Sequence, residues 1–233
     1  SRKIIHKNSS IFRQSIGFVN MKIQVARVLF IDYNGQKEVY PQNTDLNETI
    51  VREKEAHLME KTMVELLMER RSIRRYTGER VPEESLKQIL QAGLLTPSGH
   101  NAKPWEFVVV RDRETLNKLS QCREGSAEML KGADCAVVVL GDEEKTDVWT
   151  EDCSAAMMNM HLTASSLGVG SCWIQGRLRT VDGESTEQVV RNILGFPEKY
   201  RLEAILSLGM PAAHPEARRL EDLPEERIHW EKF

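Results

Sequence analysis

The sequence has few cysteines and no long apolar run. Its four cysteines in 233 residues form no Cys-x-x-Cys pair and no Cys/His cluster at zinc spacing, which argues against a disulfide-rich secreted scaffold and against a zinc centre. We therefore expect reduced, mostly buried thiols. No segment approaches the roughly 18 consecutive apolar residues of a membrane-spanning helix. We predict no membrane partner and a cytoplasmic location.

Acidic residues are absent from the first 31 positions. Six Lys and Arg give this segment a charge of +6, whereas the remaining 26 bases and 35 acids give residues 32–233 a charge of −9, for a total of −3. Such a near-neutral balance argues against a protein that binds polyanions over its whole surface. The basic N-terminal segment lacks the apolar core of a secretory signal. Its composition fits an organelle transit peptide or a flexible arm.

The chain divides by composition into two segments, 1–57 and 58–233. In the first, apolar runs at 23–31 and 38–40 flank Asn34-Gly35, a pair typical of a tight β-hairpin turn, and the polar stretch 41–57 is typical of a linker. Because an isolated hairpin is only marginally stable in water, this one would need a surface to dock on. We place the compact domain at 58–233.

Helical and extended patterns alternate along the second segment. Apolar periodicity and helix caps predict helices, and short β-branched runs predict strands. The predicted helices cover 59–71, 82–93, 113–121, 151–167 and 184–194, and the predicted strands cover 105–110, 135–140, 170–174 and 202–208. This order predicts a mixed α/β (α+β) domain in which helices flank a central sheet.

The densest candidate site is a run of arginines in residues 70–76 (RRSIRRY), which holds four guanidinium groups in six residues. Arginine matches phosphate oxygens with paired hydrogen bonds, and the serine hydroxyl between the arginines adds a donor. Two other interpretations stay open for this run alone. It could be a solvated helix C-terminus, whose dipole favours cations, or a nucleic-acid contact, against which the acidic body argues.

Three further motifs are weak when taken singly. Residues 96–105 (TPSGHNAKPW) form a Pro-, Gly- and Asn-rich loop before a predicted strand. Residues 166–176 (SLGVGSCWIQG) form the end of a predicted helix followed by a strand. The sequence LGMP closes the last predicted strand before Arg218-Arg219. The helix-then-strand order around GVG is the reverse of a dinucleotide-binding turn, which excludes that interpretation.

Acid–base and nucleophilic machinery is not evident. We find no convincing Ser-His-Asp order, nucleophilic cysteine neighbourhood or pair of catalytic carboxylates. His100 and His161 are candidate proton donors. His161, on a Met- and Ala-rich helix, is better explained as a core histidine with satisfied hydrogen bonds.

Together and in this order, the motifs resemble those of the FMN-dependent nitroreductase family. The resemblance rests on RRSIRRY, on PSGHNAKPWEFVVV, on the helix at 152–156 that leads to LGVGSCWIQG, and on LGMP with the arginine pair. It covers about residues 60–233. It implies the family's fold, a central and mostly antiparallel sheet flanked by helices, in an intertwined homodimer with FMN at the subunit interface.

The resemblance also implies which residues bind the cofactor. The first motif contacts the FMN phosphate, ribityl chain and ring edge, and the loop contacts the flavin from the other subunit. The end of LGVGSCWIQG presents backbone amides to flavin N5. Arg219, with Arg218 as its neighbour, matches the C-terminal basic position that also reaches the phosphate. In that order the residues are Arg70, Arg71, Ser72 and Arg74; Pro97, Ser98 and Asn101; Gln175 and Gly176; and Arg218 and Arg219.

One position departs from the family pattern. Lys103 stands where the family usually has Gln before the Pro-Trp pair. A cation there would stabilise an anionic reduced flavin or hydrogen-bond its ring, so we count Lys103 among the cofactor-binding residues. Because flavin N5 carries the chemistry in this family, we predict no catalytic side chain and no metal.

The implied activity is hydride transfer. NADH or NADPH would reduce the flavin and leave, and a small electrophilic acceptor such as a nitroaromatic or a quinone would then take the hydride, in ping-pong fashion. The arginines would hold the dianionic FMN phosphate, which the acidic body would otherwise repel. Residues before the first motif would form an arm across the partner subunit, and we expect no nucleic-acid partner.

Two alternatives stay open. One is a specialised reductase such as a dehalogenase resembling iodotyrosine deiodinase, although those relatives carry a helical lid before the long central helix and only residues 141–150 are available here. The other is a non-enzymatic flavin-binding protein that uses the same pocket without turnover. Relatives fused to a ferredoxin are excluded because the sequence has no cluster-type cysteine run.

Overall fold

A computed structural model describes residues 61–233 and, before them, the backbone of two short strands. The chain divides into two units, residues 1–60 and 61–233. In the first unit, β1 (Leu29–Ile31) pairs antiparallel with β2 (Lys37–Val39). The two strands of the predicted hairpin are therefore present. Its Asn34-Gly35 turn and the linker 41–57 lie outside the described residues, and the boundary at 57/58 stays a prediction.

The second unit alternates helices and strands. Short 3-10 turns occur at Gly99–Asn101, Glu128–Lys131, Leu220–Asp222 and Glu225–Arg227. The helices are α1 (Met63–Glu69), α2 (Glu83–Leu94), α3 (Arg113–Leu119), α4 (Trp149–Ser166) and α5 (Thr186–Leu194). The strands are β3 (Trp105–Val110), β4 (Cys135–Asp142), β5 (Gly170–Gln175), β6 (Thr180–Val181), β7 (Glu184–Ser185) and β8 (Tyr200–Gly209).

The central sheet has four strands in the order β3-β4-β8-β5, and each neighbouring pair is antiparallel. Helices cover both of its faces. On one face, α2 and α4 contribute Ile89 and Met157 to the core, and on the other, α3 and α5 contribute Leu116 and Val190. Burial of each such side chain contributes about 1.5–3 kcal/mol. The predicted fold class, a mixed domain with helices around a mostly antiparallel sheet, is confirmed.

Strand β8 contains a bulge. Val139 of β4 lies opposite Ala204, but its neighbour Leu140 lies opposite Leu202, so Glu203 is the extra residue of β8. Side chains two positions apart on a regular strand share a face. Here Ala204 packs into the core on the α4 side and Leu202 into the core on the α5 side. The bulge at Glu203 therefore changes which residues of β8 point to each face of the sheet.

The start of α5 differs from the prediction, which began this helix at residue 184. Residues 184–185 instead form β7, which pairs with β6 through a turn at Asp182 and Gly183, whose φ angles are +49° and +82°. Two successive positive φ angles are typical of a tight hairpin turn. Ser185 then caps the helix, because its Oγ accepts a hydrogen bond from the Gln188 amide at 3.1 Å.

Candidate functional site

Helix α4 contacts two of the four segments that hold predicted site residues, and it is tied to a third through Glu203. Near its start, Asp152 Oδ1 accepts a hydrogen bond from the Gly99 amide at 2.9 Å. Two residues later, Ser154 Oγ donates to Glu203 at 3.1 Å, and nearer the helix end His161 bonds Arg70 at 2.9 Å. Ser154 and His161 are seven residues apart and so share one face of the helix. The helix is the common support of the candidate site.

The arginine-rich segment runs along the edge of the sheet. Ser72 bridges Ser171 of β5, the Ile73 amide donates to the Ser171 carbonyl at 2.9 Å, and the Thr77 amide donates to the Met210 carbonyl at 2.9 Å. Two glycines of the quoted motifs permit this close approach. A Cβ at Gly170 would lie 2.9 Å from Ile73, and one at Gly209 would lie 2.7 Å from the Tyr76 ring. These glycines are therefore required by packing.

Arg70 and His161 form a fixed pair at one end of α4. Since a guanidinium only donates, Nε2 of His161 is the acceptor, so Nδ1 carries the proton and donates to Ser171 Oγ at 2.6 Å. Burial and the neighbouring Arg70 lower the pKa of His161 to about 4, which leaves the ring neutral. The prediction that His161 is a satisfied core histidine is confirmed.

Several guanidinium groups lie close together near this pair. Burial, followed by the charges of Arg218 and Arg71, lowers the pKa of Arg70. Burial raises the pKa of the Cys172 thiol, and the opposing influences on it include Arg74, a hydrogen bond from Ser72, and Arg70. Arg70, Ser72 and Arg74 therefore all act on one residue of β5, Cys172.

These arginines differ from a structural arginine. Arg191 is 7% exposed, donates to the backbone carbonyls of three residues near the start of β8, and pairs with Glu187 at 2.9 Å. In contrast, within residues 61–233 no carboxylate forms an ion pair with any of the clustered arginines, which are Arg70, Arg71, Arg74 and Arg218. Gathered cations without acidic partners suit an anion with several oxygens, such as a phosphate.

The two C-terminal arginines occupy different surroundings. The Arg218 amide donates to the Met68 carbonyl at 2.9 Å, which holds the tail beside α1, and its side chain lies near Arg70. Arg71 adds a hydrogen bond to the Glu216 carbonyl. The Arg219 side chain is 72% exposed and binds Asp222 through two hydrogen bonds of 3.2 and 3.1 Å. The structure thus brings Arg218 to the cluster, whereas Arg219 pairs with Asp222.

The loop at 97–103 is anchored by two hydrogen bonds and exposes four of its side chains to solvent. Gly99 is anchored to Asp152, and the Lys103 amide donates to Ser98 Oγ at 2.9 Å. His100, Asn101 and Lys103 have φ angles of +51°, +56° and +47°, in the left-handed region that few non-glycine residues adopt and that Asn and His adopt more readily than Lys. The residues of this loop with exposed side chains are Pro97, His100, Asn101 and Lys103. Strained, exposed backbone of this kind is frequent in ligand-binding loops.

The loop and the arginine cluster are separated within one chain. Their anchors on α4, Asp152 and His161, are nine residues apart, which is about 14 Å along the helix axis. The chain brings Arg70, Arg71, Ser72, Arg74 and Arg218 together, but it holds the 97–103 loop at the opposite end of α4.

The end of β5 is bonded to the bulge in β8. The Gln175 side chain donates to the Glu203 carbonyl at 3.1 Å and accepts from the Trp173 indole at 2.9 Å. The Gly176 amide, which the resemblance directs toward a flavin, instead donates to the same Glu203 carbonyl at 3.1 Å. The bulge frees this carbonyl from regular pairing with β4, so it accepts these bonds.

Two buried carboxyl groups were missed by the sequence analysis. Glu203 is 2% exposed, and burial raises its pKa. Asp152 is 7% exposed. In both residues one carboxyl oxygen has a partner within the described part of the chain, and the other, Oε2 or Oδ2, is buried without one. The signal for Glu203 was a lone acid at the start of an apolar strand.

The described part of the chain offers neither a metal-binding cluster nor a membrane-spanning helix. Residues 61–233 and the two N-terminal strands contain no group of three or more His, Cys, Asp or Glu arranged to hold a metal ion. No helix among these described residues is long and apolar enough to cross a membrane. All four cysteines are buried free thiols.

Comparison with known proteins points to one family. The model of the nitroreductase family matches residues 67–122 and 119–210. A protein of Archaeoglobus fulgidus, with the provisional name NADH dehydrogenase/NAD(P)H nitroreductase, is 37% identical over 175 residues, which are 73% of this chain and 98% of that protein.

Solved structures agree. An FMN-dependent nitroreductase from Clostridium difficile R20291 is 43% identical, with a TM-score of 0.72 over 73% of this chain and 100% of the other. A structure from Desulfovibrio desulfuricans in complex with FMN is 29% identical, with a TM-score of 0.60 over 75% of this chain and 99% of the other.

Similarity to deiodinases is partial. Iodotyrosine deiodinase 1 of Pongo abelii is 38% identical over only 80 residues, which are 31% of this chain and 28% of the deiodinase. A match of this extent does not favour the dehalogenase alternative.

Proposed function

Because this chain belongs to the nitroreductase family and is an oxidoreductase of that family, we propose that it binds FMN and uses NADH or NADPH to reduce a small electrophilic acceptor, such as a nitroaromatic or a quinone. The observation that carries the proposal is the cluster of arginines against β5, which has no acidic partner within residues 61–233. FMN offers such a cluster a dianionic phosphate. The FMN-dependent nitroreductase with 43% identity supports the same cofactor.

The dimensions of the site fit FMN. Ser72 and the arginines lie at the Ser171 end of β5, and Gln175 lies at its other end. Four residues of strand separate the two ends, which is about 13 Å. A phosphate at the Ser171 end would therefore leave the length of a ribityl chain and part of a flavin ring along the strand. The charge and the spacing of the donors both suit this cofactor.

Each predicted residue has a task in the proposed complex. Arg70, held by His161, neutralises the phosphate together with Arg71, Arg74 and Arg218, and Ser72 donates a hydrogen bond. Gln175 and Gly176 line the strand end beside the ring. Arg219 lies at the outer rim beside its partner Asp222. The loop residues that complete the site from the partner subunit are Pro97, Ser98, Asn101 and Lys103. When bound, FMN supplies the hydride chemistry.

A homodimer would complete this site. The resemblance assigns the loop that faces the ring, residues 97–103, to a second copy of the chain. Apolar side chains are exposed on α1, at Met63, Val64 and Leu67, and along the C-terminal tail. The exposed tail residues are Leu220, Leu223, Ile228, Trp230 and Phe233. Exposed apolar surface of this extent is typical of a protein interface.

We also propose a cytoplasmic location, since the four cysteines are free thiols.

Steady-state kinetics test the enzymatic proposal. Purified protein loaded with FMN is mixed with NADH or NADPH and with menadione or a nitrofuran, and absorbance of the reduced nicotinamide is followed. We expect oxidation that requires the acceptor and gives parallel double-reciprocal lines, as ping-pong kinetics demand. Bound flavin without turnover by either nicotinamide would contradict the proposal and favour the flavin-binding alternative.

A further inference from the structure

We propose that Glu203, the bulge residue of β8, is a positioning residue that fixes the end of β5 beside the reactive edge of the flavin, and that it does so with an uncharged carboxyl group. The proposal rests on the proposed function, because FMN binding there places the ring beside β5.

The backbone of Glu203 organises this strand end. Its carbonyl accepts hydrogen bonds from the Gly176 amide at 3.1 Å, from the Arg177 amide at 2.9 Å and from Gln175 Nε2 at 3.1 Å. Glu203 is the residue that the β4–β8 register skips, so its carbonyl is available to β5 and to the residues that follow. Bulges of this kind re-aim side chains and are frequent next to active sites.

The side chain of Glu203 ties the same strand end to α4. Its Oε1 accepts from Ser154 Oγ at 3.1 Å and from Gln175 Nε2 at 3.4 Å. Gln175 is therefore held by both the backbone and the carboxyl group of one residue. Movement of Glu203 would release the Gln175 side chain and the next two amides together.

The surroundings favour the uncharged acid. Glu203 is 2% exposed, and its Oε2 is buried without a partner among the described residues. An ionised carboxylate left in that state would be costly, and burial raises the pKa of the group. The charged or titratable groups that face it are Glu151 and Cys153 from α4 and Arg177 after β5. Burial and Glu151 raise the pKa of Glu203, whereas the hydrogen bonds from Gln175 and Ser154 and the charge of Arg177 lower it, and burial is the largest of these influences.

Amide hydrogen exchange of the FMN-free protein tests the positioning role. E203L removes the carboxyl group, whereas E203Q keeps the shape, the Oε1 acceptor and the zero charge. E203L loses the side-chain bonds to Ser154 and Gln175 that hold Glu203, so its backbone carbonyl, which accepts from Gly176 and Arg177, is less firmly placed. We expect exchange at these two amides to rise about tenfold in E203L, the scale of one lost buried hydrogen bond, and to stay near wild type in E203Q. Unchanged exchange in E203L would overturn the proposal.

The midpoint potential of the bound flavin distinguishes an electrostatic role of Glu203 from a merely structural one. A structural role alone would not change how this potential depends on pH. From about pH 5 to about pH 9, ionisation of Glu203 would add negative charge near the ring, so the FMN midpoint potential of the wild type should fall more steeply with pH than that of E203Q. Equal slopes with a wild-type potential below that of E203Q at every pH would show an ionised Glu203 and contradict the uncharged role. An E203Q protein that behaves like E203L would contradict it too.

Two further variants serve as a stability control and as a replacement for E203L. Ile205→Val, a buried change two residues along β8 in the opposite core, should lower stability without altering exchange at Gly176 or the potential. If E203L does not fold, Ser154→Ala removes one donor to Oε1 and should raise exchange in the same direction. Because the exchange measurement uses protein without FMN, it is decided even if FMN uptake, and with it the proposed function, fails.

Discussion

Arg70 donates a hydrogen bond of 2.9 Å to a histidine, His161, that is buried and neutral. The His161 ring is itself held in place, because its Nδ1–H donates a hydrogen bond to Ser171 Oγ at 2.6 Å. A neutral acceptor fixes the position of a guanidinium without cancelling its charge, as a carboxylate would. Arg70 is therefore held in place and still available to an anion.

Substitution of His161 should weaken FMN binding. His161→Leu removes the acceptor for Arg70, and we expect about a tenfold loss of affinity, the size of one buried charged hydrogen bond. His161→Gln, whose side-chain oxygen is also an acceptor, should lose less. The measurement is titration of the FMN-free protein with FMN, followed by flavin fluorescence. His214→Leu, at an exposed histidine, is the matched control, and equal affinities of H161L and H214L would refute the role.

The same histidine should make stability fall in acid. Its pKa is about 4 in the folded chain against a reference of 6.5. As pH falls from 6.5 to about 4, His161 becomes protonated in the unfolded chain but stays neutral in the folded chain. Protonation therefore stabilises the unfolded chain, and the free energy of unfolding decreases. The loss is about 3 kcal/mol once pH is below the folded value. Urea unfolding of wild type and H161Q at several pH values checks it, and the difference between them should shrink toward low pH.

Gly99 should tolerate no side chain unless Val148 is shortened. A Cβ at Gly99 would lie 2.8 Å from Val148 Cγ2, so Gly99→Ala must move the loop and disturb the bond to Asp152. We expect a cost of about 1–3 kcal/mol in unfolding free energy. Val148→Ala in the same chain should recover much of it. A double-mutant cycle by urea unfolding measures the coupling, and strictly additive effects would show that the two positions do not meet.

The oligomeric state should be a dimer held partly by the C-terminal tail. Light scattering on a sizing column should give twice the chain mass of 26.7 kDa. Trp230 is 86% exposed in the single chain, and Trp230→Glu should shift the protein toward monomer because a charge would enter the interface. An exposed polar position, Gln121→Glu, serves as the control. A wild-type protein that stays monomeric at high concentration would contradict the dimer.

Local patterns in the sequence predicted most elements of the fold, because each strand of the sheet is a short apolar run. Pairing between distant strands was not visible. The bulge at Glu203 arises only when β4 and β8 are aligned, and the β6–β7 hairpin depended on Asp182-Gly183, a turn signal within a segment taken as a loop and helix start.

The candidate site shows the same limit. The resemblance gave the phosphate contact to Arg219, with Arg218 as its neighbour. Adjacent residues of an extended chain point in opposite directions, and the sequence does not show which of the two points toward Arg70. Only the path of the tail beside α1 decides which one meets Arg70. Likewise, nothing local to Asp152 or Ser154 showed that they anchor segments about fifty residues away along the chain.

Titration of FMN-free protein with FMN tests the central claim most directly. We predict one FMN bound per chain, an affinity about tenfold weaker in Arg218→Ala than in wild type, and a smaller loss in Arg219→Ala, because Arg219 pairs with Asp222 at 3.1 Å. No uptake of FMN by the folded wild-type protein, or a larger loss in R219A than in R218A, would contradict the account.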